Sequence, residues 1–422
     1  MKLIIIHKYK ERLLDIWMDK QTIFFLTEAI LPNQKISARL RMINSDSIDA
    51  PLKTQDLIVI RKNHFTKELG FHISKKDTSL SLWYTNPADS RDSRQSVTSE
   101  NYTCGMKFKD KAVIDLPEKA DLCEVYRVDN IDSGQFLIYT REYDVRPIKQ
   151  RGFKPNYRFV FYVSNPSNET LKSFIFKDED RYLERGKVKW KAGVMEATGL
   201  FASKFEGPKM GIWYLKYDFN NQKISVDTIQ YFDKSIKSLP DNGFQPSMLR
   251  NSKLESFFID YFIKLDSEKR VVVFEQFFLL PASIGSSYTY NRFYGDIMLL
   301  FLNKNGEIYN ARRLVKAQQT YNNFGEFSSY YLERKDSVFR FFYNDHFKNN
   351  TRNKFRQLVW HKHSCIMLTE ATEYSLNKVL LANYKQTGGI VQTKDMLEIA
   401  PNQYLIYSYK KKKAKLGIMK LE

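Results

Sequence analysis

Short apolar runs separated by polar breaks set the pattern of this chain. Early ones are Gln21–Ala29 (QTIFFLTEA), Asp56–Ile60 (DLIVI), Gln135–Thr140 (QFLIYT) and Arg158–Val163 (RFVFYV). Met210–Asp218 (MGIWYLKYD), Phe257–Leu265 (FFIDYFIKL), Arg270–Leu280 (RVVVFEQFFLL) and Asp296–Leu302 (DIMLLFL) follow. Val338–Tyr343 (VFRFFY), Gln357–Trp360 (QLVW), Cys365–Leu368 (CIML) and Tyr404–Tyr409 (YLIYSY) close the series. Most are about four to nine residues long, which suits strands; helices need roughly ten or more.

The breaks between the runs carry turn chemistry. The Asn305-Gly306 pair in Asn303-Lys304-Asn305-Gly306 predicts a type I′ hairpin. Asp218–Gln222 and Asp266–Lys269 predict longer loops of the same kind. Single helical turns are expected at Ser235–Leu239 and Lys394–Ile399, and the first twenty residues are loosely amphipathic. Asn86–Asn101, whose only apolar residues are Ala88 and Val97, reads as a long exposed connection, and the highly charged Asp178–Lys191 reads as surface. The class expected is all-β with little helix: a sandwich, barrel or propeller. No clean internal period emerges to count its units.

Composition agrees with this class. Of 422 residues, 31 are Phe, 26 Tyr and 5 Trp, against only 17 Gly and 12 Pro. Such aromatic use favours half-buried pleated surfaces. No run approaches the roughly 18 consecutive apolar residues of a membrane span. The start, Met1-Lys2-Leu3-Ile4-Ile5-Ile6 followed by His7 and Lys8, is too short for an export signal, whose apolar region runs about 7–15 residues. A cytoplasmic chain, or a start that has lost its signal, is expected. Of the three cysteines, Cys104 and Cys123 are the pair an oxidising compartment would bridge, and spacing alone does not decide it.

Catalytic motifs are missing. There is no G-x-S-x-G elbow, no HExxH, no G-x-x-x-x-G-K-[ST] and no supported S-x-x-K, so no catalytic residue and no cofactor are assigned. His361-Lys362-His363-Ser364-Cys365 would place three metal-ligating side chains on one face of a strand, against the plainer reading of a solvated face ending in a core cysteine. Acidic residues on or beside strands, among them Glu275, Asp296 and Asp345, are the material from which a hydrolase would draw a carboxylate pair. Formal charge is +19, from 67 Lys and Arg against 48 Asp and Glu. It is spread along the chain, with one run at Lys410–Lys413 plus Lys415. Such an excess suits nucleic acid, and equally an anionic polymer or lipid surface.

From Gly186 onward, a series of motifs carries a resemblance. They are Thr198-Gly199-Leu200-Phe201-Ala202-Ser203, Gly211-Ile212-Trp213-Tyr214, Glu275-Gln276-Phe277-Phe278 and Tyr294-Gly295-Asp296-Ile297. Lys304-Asn305-Gly306-Glu307-Ile308, Lys316-Ala317-Gln318, Ser328-Ser329-Tyr330 and Tyr343-Asn344-Asp345 with Asn349 or Asn350 complete the set. In order and spacing this series resembles an uncharacterised family of secreted, β-propeller-like proteins from gram-negative bacteria. The resemblance covers residues 186–422, and residues 1–185 carry little of it. It implies a propeller of short antiparallel strands, taken here as six to eight blades, with residues 1–185 supplying the first ones. It also implies a periplasmic or envelope location, which the missing export signal does not match, and brings no activity.

Physically, Glu275 can pair with Lys316 of a neighbouring strand, and Asn344-Asp345 suits a turn. As a function, Glu275, Asp296, Lys316, Gln318, Asn344 and Asp345 would line one channel mouth and bind a polar partner. The favoured expectation is a non-enzymatic scaffold that binds a protein or an anionic polymer. A hydrolase with paired carboxylates in a central channel comes second, and a nucleic-acid-binding protein third.

Overall fold

Aromatic and β-branched side chains alternate with polar ones over most of the chain, and these runs pair into seven antiparallel sheets. The computed structural model describes residues 11–421 apart from 32–34, 45–52, 62–68, 74–78, 87–89, 91, 104–106, 132–133, 146–153, 166–169, 206, 240–255, 285–286, 322–324, 326, 351–355, 360 and 411–412. The sheets follow one another along the chain and occupy residues 11–61, 69–119, 123–176, 182–231, 257–321, 330–383 and 390–420. Each is built from neighbouring segments of sequence, so the molecule is a seven-bladed β-propeller.

First strands of successive blades lie against one another: Lys187–Lys191 against Phe257–Lys264, Leu69–Ile73 against Cys123–Asn130, and Glu11–Asp19 against Leu397–Ala400. They surround the axis, while last strands such as Thr170–Phe176, Lys223–Tyr231 and Leu376–Asn383 are the most exposed.

Among the described residues the core consists of seven apolar clusters, each lying between two adjacent blades. The largest joins blades 3 and 4 through Tyr139, Phe159, Phe161, Met195 and Trp213. The others join blades 1 and 2, 2 and 3, 4 and 5, 5 and 6, and 6 and 7. The ring closes through Ile23, Phe25 and Ile43 of blade 1 against Leu405 and Leu416 of blade 7. Burial of this apolar area is the main favourable term in such a ring. No helix among the described residues is long and apolar enough to cross a membrane.

Several expectations need correction. Residues 94–101 are not exposed loop but part of the strand Arg94–Tyr102, with Gln95, Val97, Thr98, Ser99 and Asn101 buried. Polar side chains satisfy one another there: Ser81 donates to Asn101 at 2.6 Å, Thr98 to Asn86 at 2.8 Å and Asn86 to Ser96 at 2.7 Å. Within the charged stretch 178–191, Tyr182, Leu183 and Val188 are core. Residues 11–19 form a strand, and of the described residues of QLVW, 357–359, only Leu358 makes a β-bridge, to Gln318.

The Asn303–Gly306 turn closes with Gly306 N–H donating to the Asn303 carbonyl at 3.0 Å, and Gly306 has φ +80. This is a type I turn followed by a left-handed glycine in place of the expected type I′ hairpin. Helical turns occur at Lys234–Lys237, capped by Asp233, and at Thr393–Asp395. Cys104 and the first ten residues, including His7, lie outside the described residues, as does His64.

Candidate functional site

The six residues singled out in the sequence are all buried, in blades 5 and 6. Glu275 lies on the strand Arg270–Ile284, Asp296 on Ser287–Leu302 and Gln318 on Gln318–Tyr321. Lys316 reaches Glu275 in a close ion pair and donates to Gln318 Oε1 at 3.2 Å. Ser329 Oγ donates to the other Glu275 oxygen at 2.6 Å. Gln318 Nε2 donates to the Asn344 carbonyl at 2.7 Å, and Asn344 Nδ2 donates to the carbonyls of Phe327 and Val391. These last bonds tie blade 5 to blade 6 and blade 6 to blade 7.

Asp296 is fully buried and held by Arg313, whose Nε and Nη2 lie 2.8 Å from one oxygen, while the Lys316 backbone N–H reaches the other at 3.1 Å. Asp345 accepts from Lys378 at 2.7 Å, from Asn349 at 2.7 Å and from the His346 backbone at 2.8 Å. Asn344 and Asp345 are not in a turn: they end the strand Val338–His346, and Asp345 anchors the short turn Phe347–Asn350 that follows. Burial nevertheless outweighs Lys378 and raises the Asp345 carboxyl above the usual carboxylate range. Every carboxylate of the set therefore has a cation against it. Four of the six residues form one linked network, Asp296 joins it through Lys316, and Asp345 forms a separate centre beside it.

The metal candidates do not share a strand face. His361–His363 form a 3-10 turn and the strand begins at Ser364, so the alternation is broken. The buried Cys365 thiol donates to the Asp345 carbonyl at 3.4 Å, and burial, then the Asp345 charge, pushes it up to about 12. A thiol so firmly protonated is a poor ligand.

Beside the network lies a carboxyl group that the sequence reading missed. Asp260 sits at a bulge in the first strand of blade 5, where the register with the neighbouring strand slips between Ile259 and Tyr261. Tyr330 donates to its Oδ2 at 2.7 Å. Burial first, then the Glu275 charge, raises the Asp260 carboxyl to about 7, against the opposing Tyr330 bond, Lys187 and Lys316. A bulge re-aims the side chain it carries, but FFIDYFIK shows no signal for one.

A second missed region is a cleft of about 440 Å³ formed mainly by blades 3, 4 and 5. Arg141, Arg185 and Lys187 bring cations to its lining, and Tyr157, Tyr182, Phe205 and Phe258 bring rings. Phe205 and Phe258 are about half exposed, at 54% and 50%. The one carboxylate in the lining, Glu184, is taken by Lys209. Arg141 lies over the rings of Tyr126, Tyr157 and Phe159 at 4.7–5.5 Å, and Arg185 covers Tyr126 at 4.7 Å.

No protein-family model and no curated protein matches this chain. Among solved structures it is similar to the β-propeller domain of the trilobed protease from Pyrococcus furiosus, described as having an open velcro topology. Identity is 8% and TM-score 0.41, over 97% of this chain and 95% of that one. A neuraminidase-like protein from A/bat/Guatemala gives 10% identity and TM-score 0.37, over 88% and 87% of the two chains. The apocarotenoid oxygenase of Synechocystis gives 9% identity and TM-score 0.34 over 70% of this chain. The alignment spans 62% of that oxygenase. At these identities and TM-scores the likenesses carry no argument about what this chain does.

Proposed function

We propose that this propeller is a binding or assembly scaffold, working at the bacterial envelope as the family resemblance implies. One observation carries the reading: Glu275, Asp296 and Asp345, the carboxylates the sequence offered for chemistry, are each locked to a buried or partly buried cation. Carboxylates bound in this way hold a platform rigid instead of exchanging protons with a substrate. In this reading residues 1–185 and 186–422 act as one body, and the six residues fix the geometry of blades 5 to 7 beneath the binding surface. Affinity capture with the full chain from separated envelope and soluble fractions tests it. Envelope proteins or glycans retained between about 50 and 200 mM salt support the scaffold, since phosphate-backbone binding weakens steeply over that range. Recovery of nuclease-sensitive material alone would sink it.

A second reading is favoured by Asp260. Its raised carboxyl lies within electrostatic reach of the ionic centre at Glu275, which is the arrangement a hydrolase uses for general acid–base work. Turnover of aryl glycosides or esters that disappears in Asp260→Asn would establish this reading over the scaffold.

A further inference from the structure

Two of the cations at the cleft keep bonding capacity that the fold leaves unused. The Lys187 ammonium makes no hydrogen bond and no ion pair with any described residue, although Asp260 lies near enough for its charge to be felt. Arg141 keeps Nε buried without a partner. Its Nη1 makes a long hydrogen bond of 3.5 Å to the Tyr143 hydroxyl and a loose ion pair of 3.9 Å with Glu124. A guanidinium has five N–H donors and an ammonium three, so both groups retain unused capacity. Holding the Lys187 ammonium largely away from solvent is unfavourable: burial, with the charges of Arg185 and Arg127, already lowers it below its usual range. Packing of the blades forces this arrangement, because Lys187 opens the strand Lys187–Lys191 while Arg141 lies near the end of Phe136–Tyr143 one blade away.

The rest of the lining is aromatic. Tyr182 and Phe205 meet edge to face at 6.3 Å, and Phe258 presents a ring on the other side with Lys209 above it. A volume of about 440 Å³ lies within the roughly 300–1,000 Å³ of small-molecule sites, where a few polar groups fix an otherwise apolar ligand.

We infer that this cleft binds a small organic carboxylate whose ring stacks on Tyr182, Phe205 or Phe258 while its anionic end meets Lys187 and Arg141. The inference rests on the binding reading above and gives it a ligand class. An acidic sugar and an aromatic acid share this chemistry, and the test separates them.

The full chain is titrated by calorimetry with glucuronate, with benzoate and with neutral glucose. Saturable binding of either acid, with glucose at least about tenfold weaker, supports the site, and the acid that binds identifies the source. Lys187→Met is expected to weaken the acid about tenfold with an unchanged melting temperature, and Phe258→Ala to weaken it several-fold. Absence of saturable binding of both acids, equal binding of glucose, or an unaltered affinity in Lys187→Met would overturn the inference. Partner capture run on the same Lys187→Met protein keeps the two readings apart. Capture that persists while acid binding is absent in the wild type removes the cleft and leaves the scaffold. Acid binding without capture removes the scaffold and leaves the cleft.

Discussion

The interior of blades 5 and 6 and the cleft beside blade 4 use the same residue types in opposite ways. Lys316 is enclosed by Glu275, Gln318 and the bonds that radiate from them, and Arg313 is clamped on Asp296. Arg141 stands among rings with only a loose ion pair to Glu124 at 3.9 Å, and Lys187 has Asp260 near it without a bond to it. Charges matched one to one inside a protein specify its shape, and their mutual attraction does little beyond offsetting desolvation. Charges left unmatched at the edge of a cavity hold interaction capacity that only another molecule can use. On the readings proposed above, the first region serves structure and the second recognition.

The largest effect should come from breaking a matched pair. Lys316→Met leaves Glu275 buried without its cation and is expected to cost about 3–5 kcal/mol, read from denaturant midpoints. The double variant Lys316→Met with Glu275→Leu should recover most of that loss. A single variant as stable as the wild type would end the assignment of this network to structure.

Next in size is Gly199→Ala in blade 4. A Cβ built there lies 2.3 Å from the Trp213 indole, which is fully buried between strands. Overpacking of this kind costs about 1–3 kcal/mol, and the melting temperature should fall by several degrees.

A smaller effect separates Asp260 from the matched carboxylates. Its folded value of about 7 lies above the roughly 3.9 of an unfolded aspartate, so the folded state holds the proton more tightly. Stability from this group is therefore complete below about pH 4 and is lost as pH rises through 7. After screening at a partly accessible site, the slope should amount to about 2 kcal/mol across that window. Asp260→Asn should flatten the slope, and urea midpoints measured at intervals across the window would reveal whether it does.

The smallest change in stability belongs to the cleft. Lys187→Met should shift folding by less than about 0.5 kcal/mol, because no bond within the described residues is broken. Read against Lys316→Met, the two lysines should divide cleanly, one governing stability and the other affinity.

These differences explain what could be read from the sequence. Strands such as Arg158–Val163 and Phe257–Leu265 announce themselves because aromatic alternation is local. The pairing of Glu275 with Lys316 was legible too, although Lys316 lies in the connection between Ile308–Leu314 and Gln318–Tyr321 and not on a neighbouring strand as expected. Residues 94–101 were misread because hydroxyl and amide side chains, polar by type, are satisfied by partners on a neighbouring strand and in its turn. The cleft was invisible for a different reason. Arg141, Lys187 and Phe258 are far apart in the chain and belong to three blades, so only the packing of blades 3, 4 and 5 side by side assembles them. The Asp260 bulge depends on a slipped register, which residue type does not encode.

The way the ring is shut has a mechanical consequence. Among the described residues, every strand of blade 1 comes from 11–61 and every strand of blade 7 from 390–420, so no strand is shared across the junction. The two blades are fastened by the smallest of the seven apolar clusters, Ile23, Phe25 and Ile43 against Leu405 and Leu416. Under a force applied at residues 11 and 420, this junction has no shared backbone ladder to shear. It should yield as a zip does, blade 7 first, while the aromatic joint between blades 3 and 4 gives way last.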